Sequence, residues 1–362
     1  MKIHIMDPGL ITAGGHNQDW CVLMAVALQK QGHEVTLYCS GRAPDSLVTE
    51  LRTSVPTQRV FRFNPYVNAK DIDPICGDIE RQILGAETVV EDLRKVSPAD
   101  LWMWPTMFAH EMMAIARLNP KVALSAVIHH RPTEDGAWWR LAGKYLSRSA
   151  VNVKCIGTTN DEVLTHIYPL LSQFNPQSLP MPVDGNPTQR ESLKTIGILS
   201  NFRHETGAKI IVPLLQYCLD QGYKVLISDA RQLPESIAKH PNLTELGFIE
   251  SFATAVEQCD LVLVPYLWHR YMARTSGLVN QAQASAVPCI VPAGAGFSRQ
   301  LRQLGCAELF HQFDINALQQ AIQNASNNYQ SLAKSAYDVS QQWKKRHGLQ
   351  RFLYMMEHGP AQ

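Results

Sequence analysis

The sequence predicts an α/β protein that consists of two Rossmann-like, doubly wound domains. Short apolar runs alternate with helical patterns in both halves of the chain, which is typical of domains built around a parallel sheet. Prolines and glycines cluster between residues 175 and 188, and such a cluster indicates a linker. At 362 residues, the chain is also long for a single hydrophobic core.

We therefore predict a first domain at residues 1–182, a second domain at 183–340 and a carboxyl-terminal helical segment at 341–362. The first domain opens with a strand, a glycine-rich loop, a helix and a second strand that ends at Tyr38. The glycines of this loop lack the GxGxxG spacing, and no ribose-binding acid follows at the expected distance. A dehydrogenase is therefore not predicted.

Composition and charge indicate which binding partners and which cellular compartment to expect. The formal net charge is +1, which gives no reason to expect nucleic acid as a partner. The eight cysteines are scattered and form no CxxC pair, as expected of reduced core residues in a cytoplasmic protein. No apolar run approaches the ~20 residues that span a bilayer.

Residues 259–297 carry the clearest candidate for a binding site. The run Asp260-Leu-Val-Leu-Val-Pro265 predicts a buried strand, a polar and aromatic loop follows, and a helical pattern begins after Ser276-Gly277. A helix start offers unpaired N–H groups, and Gly277 has no side chain to obstruct a ligand, so the turn suits a phosphate. The alternative is an ordinary βαβ unit in which Ser276 only caps the helix.

Two histidines follow a predicted strand of the first domain. His129 and His130 come directly after the apolar run that ends at Ile128, where a doubly wound domain places its ligand contacts. Imidazole exchanges protons near neutral pH, so either ring can act on a reacting hydroxyl. The alternative is a pair of partly buried histidines with satisfied hydrogen bonds.

Two further patterns leave their alternatives open. Asp71-Ile72-Asp73 matches the DxD motif of metal-dependent sugar-nucleotide enzymes, but its surroundings are those of a polar loop, so we predict no metal site. Residues 137–148 form an amphipathic helix in which aromatic and basic residues alternate. Such a helix can dock on an anionic membrane surface at the inner face of the membrane, or pack on the sheet with its cations outward.

The second half carries a longer motif, Gly277-Leu-Val followed by Ala-x-Ala-x-x-x-Pro-x-x-Val-Pro up to Pro292. With the two halves and their linker, this motif resembles the retaining GT-B glycosyltransferases of the group 1 type, also called family four. The resemblance covers most of the chain and is strongest at residues 195–207 and 246–305.

The resemblance implies two domains that face across a cleft and a final helix that returns to the first domain. The implied activity is a hexosyltransferase reaction that moves a sugar from a UDP or GDP donor, with retention, to a glycan, lipid-linked or small-molecule acceptor. The second domain would hold the donor and the first domain the acceptor. Neither a metal nor a cofactor is implied, because the nucleotide sugar is a co-substrate.

The resemblance also assigns site residues, and here the chain departs from the family. The implied donor-phosphate residues are Arg274, Thr275, Ser276 and Gly277, together with Arg203 and Lys209. The last two are nearby substitutes for the Arg and Lys of the family, because this chain has Asn201 and Thr206 at those positions. Phe248, Ile249 and Gln281 are implied to contact the nucleotide and its ribose, Gly14, Gly15 and His16 to form the sugar and acceptor loop, and His129 or His130 to lie at the reacting centre. Ala273 and Gln281 stand where the family typically has two glutamates. Two alternatives stay open: a sugar-nucleotide epimerase on the same fold, which would also bind a nucleotide sugar, and a non-catalytic GT-B partner subunit, which this departure suggests.

Overall fold

The computed structural model describes residues 1–12, 16–67, 72, 76–129, 136–180, 182–183, 185–200, 202–231, 233–247, 249 and 251–360, without the side chains of His16 and Lys344. The chain divides into two compact units. Unit 1 comprises Met1–Pro180 and Gln350–Gln362, and unit 2 comprises Met181–Leu349. Each unit has its own parallel β-sheet with helices, which confirms the predicted α/β class.

The sheet of unit 1 has seven strands within the described residues, in the spatial order β3-β2-β1-β4-β5-β6-β7. The strands are β1 (Lys2–Asp7), β2 (Glu34–Ser40), β3 (Thr57–Phe61), β4 (Leu101–Trp104), β5 (Ala123–Ile128), β6 (Asn152–Thr158) and β7 (Gln177–Ser178). The chain runs outward from β1 in one direction and then from β4 in the other. The carboxyl ends of β1 and β4 therefore form the switch point where doubly wound sheets bind ligands.

The helices of unit 1 bury apolar faces on this sheet. They are α1 (His16–Lys30), α2 (Asp45–Arg52), α3 (Asp78–Leu93), α4 (Ala109–Leu118), α5 (Gly136–Leu146), α6 (Asp161–Leu171) and α14 (Leu349–His358). The sequence pattern predicts this first helix from Trp20, and α1 begins four residues earlier. Trp20 is fully buried, and its ring centroid lies 5.5 Å from that of Phe352 on α14. The Ser125 hydroxyl of β5 donates a hydrogen bond to the Met356 carbonyl, so the last helix is part of the core of unit 1.

The sheet of unit 2 has six strands within the described residues, in the order β10-β9-β8-β11-β12-β13. They are β8 (Thr195–Ile198), β9 (Lys224–Ile227), β10 (Leu243–Glu245), β11 (Leu261–Leu263), β12 (Cys289–Pro292) and β13 (Ala307–Phe310). Leu261 and Leu263 pack into one core cluster and Val262 into another, so the strand is apolar throughout because both faces of the sheet are covered. The switch point of this sheet lies between β8 and β11.

The helices of unit 2 connect these strands. They are α7 (Ile211–Asp220), α8 (Glu235–Ala238), α9 (Phe252–Glu257), α10 (Gly277–Ala284), α11 (Ser298–Gln303), α12 (Ile315–Asn327) and α13 (Tyr329–His347). The sequence pattern predicts a strand over residues 243–249, but β10 ends at Glu245, and Gly247 takes a left-handed conformation with φ of 68°. The helix predicted from Lys209 begins at Ile211, since the preceding turn contains Gly207 in a left-handed conformation.

Candidate functional site

The start of α10 is open to solvent. Ser276 has extended backbone and caps the helix, with its hydroxyl accepting a hydrogen bond from the Val279 amide at 3.4 Å. Gly277 is exposed, and a Cβ built on it meets no atom within 4 Å. The amides of Gly277 and Leu278 have no acceptor inside the helix, as at any helix start. The cap and the open amides therefore coexist, and the two interpretations of this turn do not exclude each other.

Two stacked tyrosines of the preceding loop lie close to this turn. The Tyr266 side chain is buried, and its ring stacks on that of Tyr271 with 4.4 Å between centroids. Burial raises the pKa of the Tyr266 hydroxyl above its usual value, and Ser276 lies near enough to act on that hydroxyl. A neutral phenol therefore lies close to the residue that caps α10. Neither Tyr266 nor Tyr271 is among the predicted site residues, although two aromatic residues in one polar loop are a signal that could have indicated them.

The loop that follows β8 lies against the loop that follows β11. Gly207 has φ of 99°, and a Cβ there would lie 2.7 Å from the Pro265 carbonyl oxygen, so only glycine allows this approach. The Leu267 amide donates a hydrogen bond to the Glu205 carbonyl at 3.0 Å. The two loops at the switch point of unit 2 are thereby held together, and Arg203 is brought close to the two tyrosines.

Two of the predicted phosphate-binding cations lie near the tyrosine pair. The Arg203 side chain is 66% exposed and lies 3.6 Å from the Glu205 carboxylate, and Arg274 is also exposed. Both arginines act electrostatically on Tyr271, whose pKa burial raises above its usual value. Arg203, Arg274 and Ser276 therefore all lie near one tyrosine pair. Lys209 is exposed, but no described contact connects it to this group.

The other candidates of unit 2 are more enclosed. Gln281 is 6% exposed, and its amide nitrogen donates a hydrogen bond to the Ser285 hydroxyl at 3.2 Å. Thr275 is half-buried and its hydroxyl lies 3.5 Å from the Asn280 amide nitrogen. Ile249 packs at the margin of the core of unit 2, and Phe248 lies outside the described residues. A nucleotide-binding role for these residues stays a prediction.

His129 of unit 1 is buried and has hydrogen-bond and ring contacts. Its Nε2–H donates to the Pro105 carbonyl at 2.8 Å, and its ring meets that of Trp20 edge-on at 5.0 Å. These contacts agree with a satisfied buried histidine, and a role at the reacting centre stays a prediction. His130, Gly14 and Gly15 lie outside the described residues, as do Asp71 and Asp73, and His16 is described only as the first residue of α1.

Two buried carboxyl groups near the switch point of unit 1 were not foreseen. Asp7 ends β1 and accepts hydrogen bonds from the Gly9 amide at 2.9 Å and from the Cys21 thiol at 3.4 Å. Burial raises the pKa of Asp7 to about 7. Glu111 on α4 is fully buried, and burial raises its pKa well above the usual value. The sequence pattern gives little warning of either, because each carboxyl is enclosed by elements distant in sequence.

The described residues contain no group of three or more His, Cys, Asp or Glu side chains arranged to hold a metal ion. Over the same part of the chain, no helix combines the length and the apolar character needed to cross a bilayer.

Comparison with solved structures identifies the fold. A sucrose-phosphate synthase from Thermosynechococcus elongatus matches 99% of this chain and 98% of its own, with a TM-score of 0.66 at 14% identity. CalG4, the calicheamicin glycosyltransferase, matches 99% and 100% with a TM-score of 0.60 at 13% identity. Anabaena HepE, solved in complex with UDP, matches 99% and 98% with a TM-score of 0.62 at 13% identity.

The chain has the GT-B fold. No protein-family model matches this sequence, and a comparison with curated proteins finds no similar one. At identities this low, the structural similarity establishes the architecture of the GT-B fold and leaves the reaction to be argued from the residues of the site.

Proposed function

We propose that this protein is a glycosyltransferase that moves a sugar from a nucleotide-diphosphate donor to a hydroxyl acceptor. One observation carries the proposal. The open start of α10 follows β11 at the switch point of the second sheet of a GT-B chain, and Arg203 and Arg274 both lie near Tyr271 of the preceding loop. Amide hydrogens, a positive helix end and guanidinium groups are the elements that bind diphosphate.

The same residues suit the chemistry of sugar transfer. As the bond from the anomeric carbon to the diphosphate breaks, negative charge grows on the leaving phosphate oxygens. The Gly277 amide and the guanidinium groups of Arg203 and Arg274 would stabilise that charge, and Lys209 would add to the field. The stacked rings of Tyr266 and Tyr271 would limit movement of the nearby Ser276-Gly277 turn, so that the site needs little reorganisation during the transfer.

The finer assignments follow from the resemblance. We propose UDP or GDP as the nucleotide, retention at the anomeric carbon, and a nucleotide contact from Phe248, Ile249 and Gln281. Unit 1 would supply the acceptor contacts, through His129 or His130 and the loop of Gly14, Gly15 and His16. We propose no metal or further cofactor, and a cytoplasmic site of action. The UDP in the HepE structure and the glycosyltransferase activity named for CalG4 support this class of reaction.

The test is a panel of UDP and GDP sugars incubated with the purified chain, with and without a library of hydroxyl acceptors. The proposal predicts release of nucleoside diphosphate that depends on an acceptor, together with a product heavier by one sugar in mass spectrometry. Interconversion of the sugar nucleotide without an acceptor would show an epimerase instead. Absence of binding to every nucleotide in calorimetry would leave a non-catalytic subunit.

A further inference from the structure

The outer face of α5 combines three cations with two large apolar side chains. Arg140, Lys144 and Arg148 follow one another at intervals of four residues, so they lie along one stripe of the helix and the turn after it. Leu141 and Tyr145 lie on the neighbouring stripe, and they are 39% and 55% exposed. We call these five residues the α5 face.

The opposite side of α5 is anchored in unit 1. Trp139, Ala142 and Leu146 are buried in its core, and Trp138 is half-buried against the same cluster. Gly143 lies so close to α6 that a Cβ there would come within 2.5 Å of Leu171. The helix is thus fixed in orientation, and the exposure of Leu141 and Tyr145 is not a consequence of missing core contacts.

The cations of the α5 face are not neutralised by described carboxylates. Some surface arginines of unit 1 do pair with carboxylates, as Arg117 does with Glu87 at 2.6 Å and Arg62 with Glu91 at 2.6 Å. Helix α5 itself contains no acidic residue. Among the described residues, none forms an ion pair with Arg140, Lys144 or Arg148.

We propose that the α5 face binds the surface of an anionic lipid bilayer. The three cations would lie among anionic headgroups while Leu141 and Tyr145 enter the boundary between headgroups and acyl chains. This combination favours a membrane over an acidic protein, because apolar side chains gain from the acyl boundary while the neighbouring cations stay at the anionic surface. The proposal does not depend on the sugar-transfer chemistry, since it concerns only how the chain is held at a surface.

The experiment is co-sedimentation of the full chain with vesicles of equimolar phosphatidylcholine and phosphatidylglycerol, and with vesicles of phosphatidylcholine alone. Wild type should bind the mixed vesicles much more tightly, and added salt should weaken that binding. Removal of each cation should lower the partition coefficient about fivefold, so that the triple change Arg140→Ala, Lys144→Ala and Arg148→Ala lowers it roughly a hundredfold. The double change Leu141→Ser and Tyr145→Ser should also weaken binding, at unchanged net charge.

The control is a second exposed pair in the same unit. Arg351 and Tyr354 on α14 are exposed, so Arg351→Ala with Tyr354→Ser removes one cation and one tyrosine from another surface. This control should bind vesicles as wild type does. The proposal is overturned if wild type binds neither kind of vesicle, or if the control loses as much binding as the changes on the α5 face. It is also overturned if analytical ultracentrifugation without lipid shows a dimer of wild type that the changes on the α5 face dissociate.

Discussion

Gly277 offers a way to separate the binding of diphosphate from the stability of the fold. The substitution Gly277→Asp places a carboxylate at the first position of α10, where a Cβ meets no atom within 4 Å. Loss of glycine from a helix is worth up to ~1 kcal/mol, and an acid at the positive end adds about 0.3–1 kcal/mol. The variant should therefore unfold at the same temperature as wild type or at a slightly higher one.

The same change should strongly weaken binding of a nucleoside diphosphate. Two like charges about 4 Å apart repel by about 4 kcal/mol at an effective dielectric constant of 20. If solvent screens half of that repulsion, about 2 kcal/mol remains, which is roughly a thirtyfold loss of affinity. The measurement is isothermal titration calorimetry with UDP and GDP, together with thermal unfolding of the same samples.

The matched control is Gly277→Asn, which has nearly the shape of the aspartate and no charge. We expect this variant to keep most of the affinity, because the amide group can turn away or hydrogen-bond to a phosphate oxygen. If the aspartate and asparagine variants lose the same amount of affinity, the site excludes volume and does not recognise negative charge. If neither variant loses affinity, diphosphate does not bind at this helix start.

Three further predictions test separate parts of the proposed site and fold. Arg203→Ala and Arg274→Ala should each weaken binding of a nucleoside diphosphate by about 1.5–3 kcal/mol, measured by calorimetry, and unchanged affinity in both would exclude a charge-assisted contact. Asp7→Asn should stabilise the chain above pH 7 by up to roughly 4 kcal/mol in urea unfolding. Because the pKa of Asp7 is raised to about 7, the folded chain keeps a proton that the unfolded chain releases near the ordinary carboxyl pKa of 3.8. The stability of wild type therefore falls as the pH rises between these two values, and the advantage of the variant should vanish near pH 4. Equal stability of both proteins at pH 8 would show that Asp7 is ionised at no cost. Arg190→Ala should lower the free energy of unfolding by about 2–4 kcal/mol, because the Arg190 guanidinium donates hydrogen bonds to the carbonyls of Cys259, Glu257 and Ser285, which would then lose their donor. Arg190→Lys should recover only part of this loss. An unchanged urea midpoint for Arg190→Ala would refute the reasoning.

The strand and helix around the candidate site could be predicted from local pattern. The run from Asp260 to Pro265 has the length and branched content of a buried strand, and α10 begins at Gly277 where the pattern places it. The same spacing places Leu278, Gln281 and Ala282 on one face, and the structure buries all three. However, the structure buries every residue from Leu278 to Ala284, so the spacing alone does not account for the burial of Gln281.

The surroundings of the site could not be predicted in this way. Arg203 lies near Tyr266 and Tyr271 only because the loop after β8 and the loop after β11 meet, and that meeting depends on pairing between strands about sixty residues apart. The burial of Asp7 likewise depends on α1 and on Tyr66, which local periodicity does not place beside it. Periodicity gives the direction of a side chain relative to its own element, while its neighbours are set by the tertiary fold.

The central claim is that diphosphate binds at the start of α10, and a crystal structure of the chain soaked with UDP and with GDP tests it most directly. The account predicts phosphate oxygens about 2.7–3.2 Å from the Gly277 amide nitrogen, with at least one guanidinium group of Arg203 or Arg274 in contact. A nucleotide bound elsewhere in unit 2, with the Gly277 amide facing solvent alone, would contradict it.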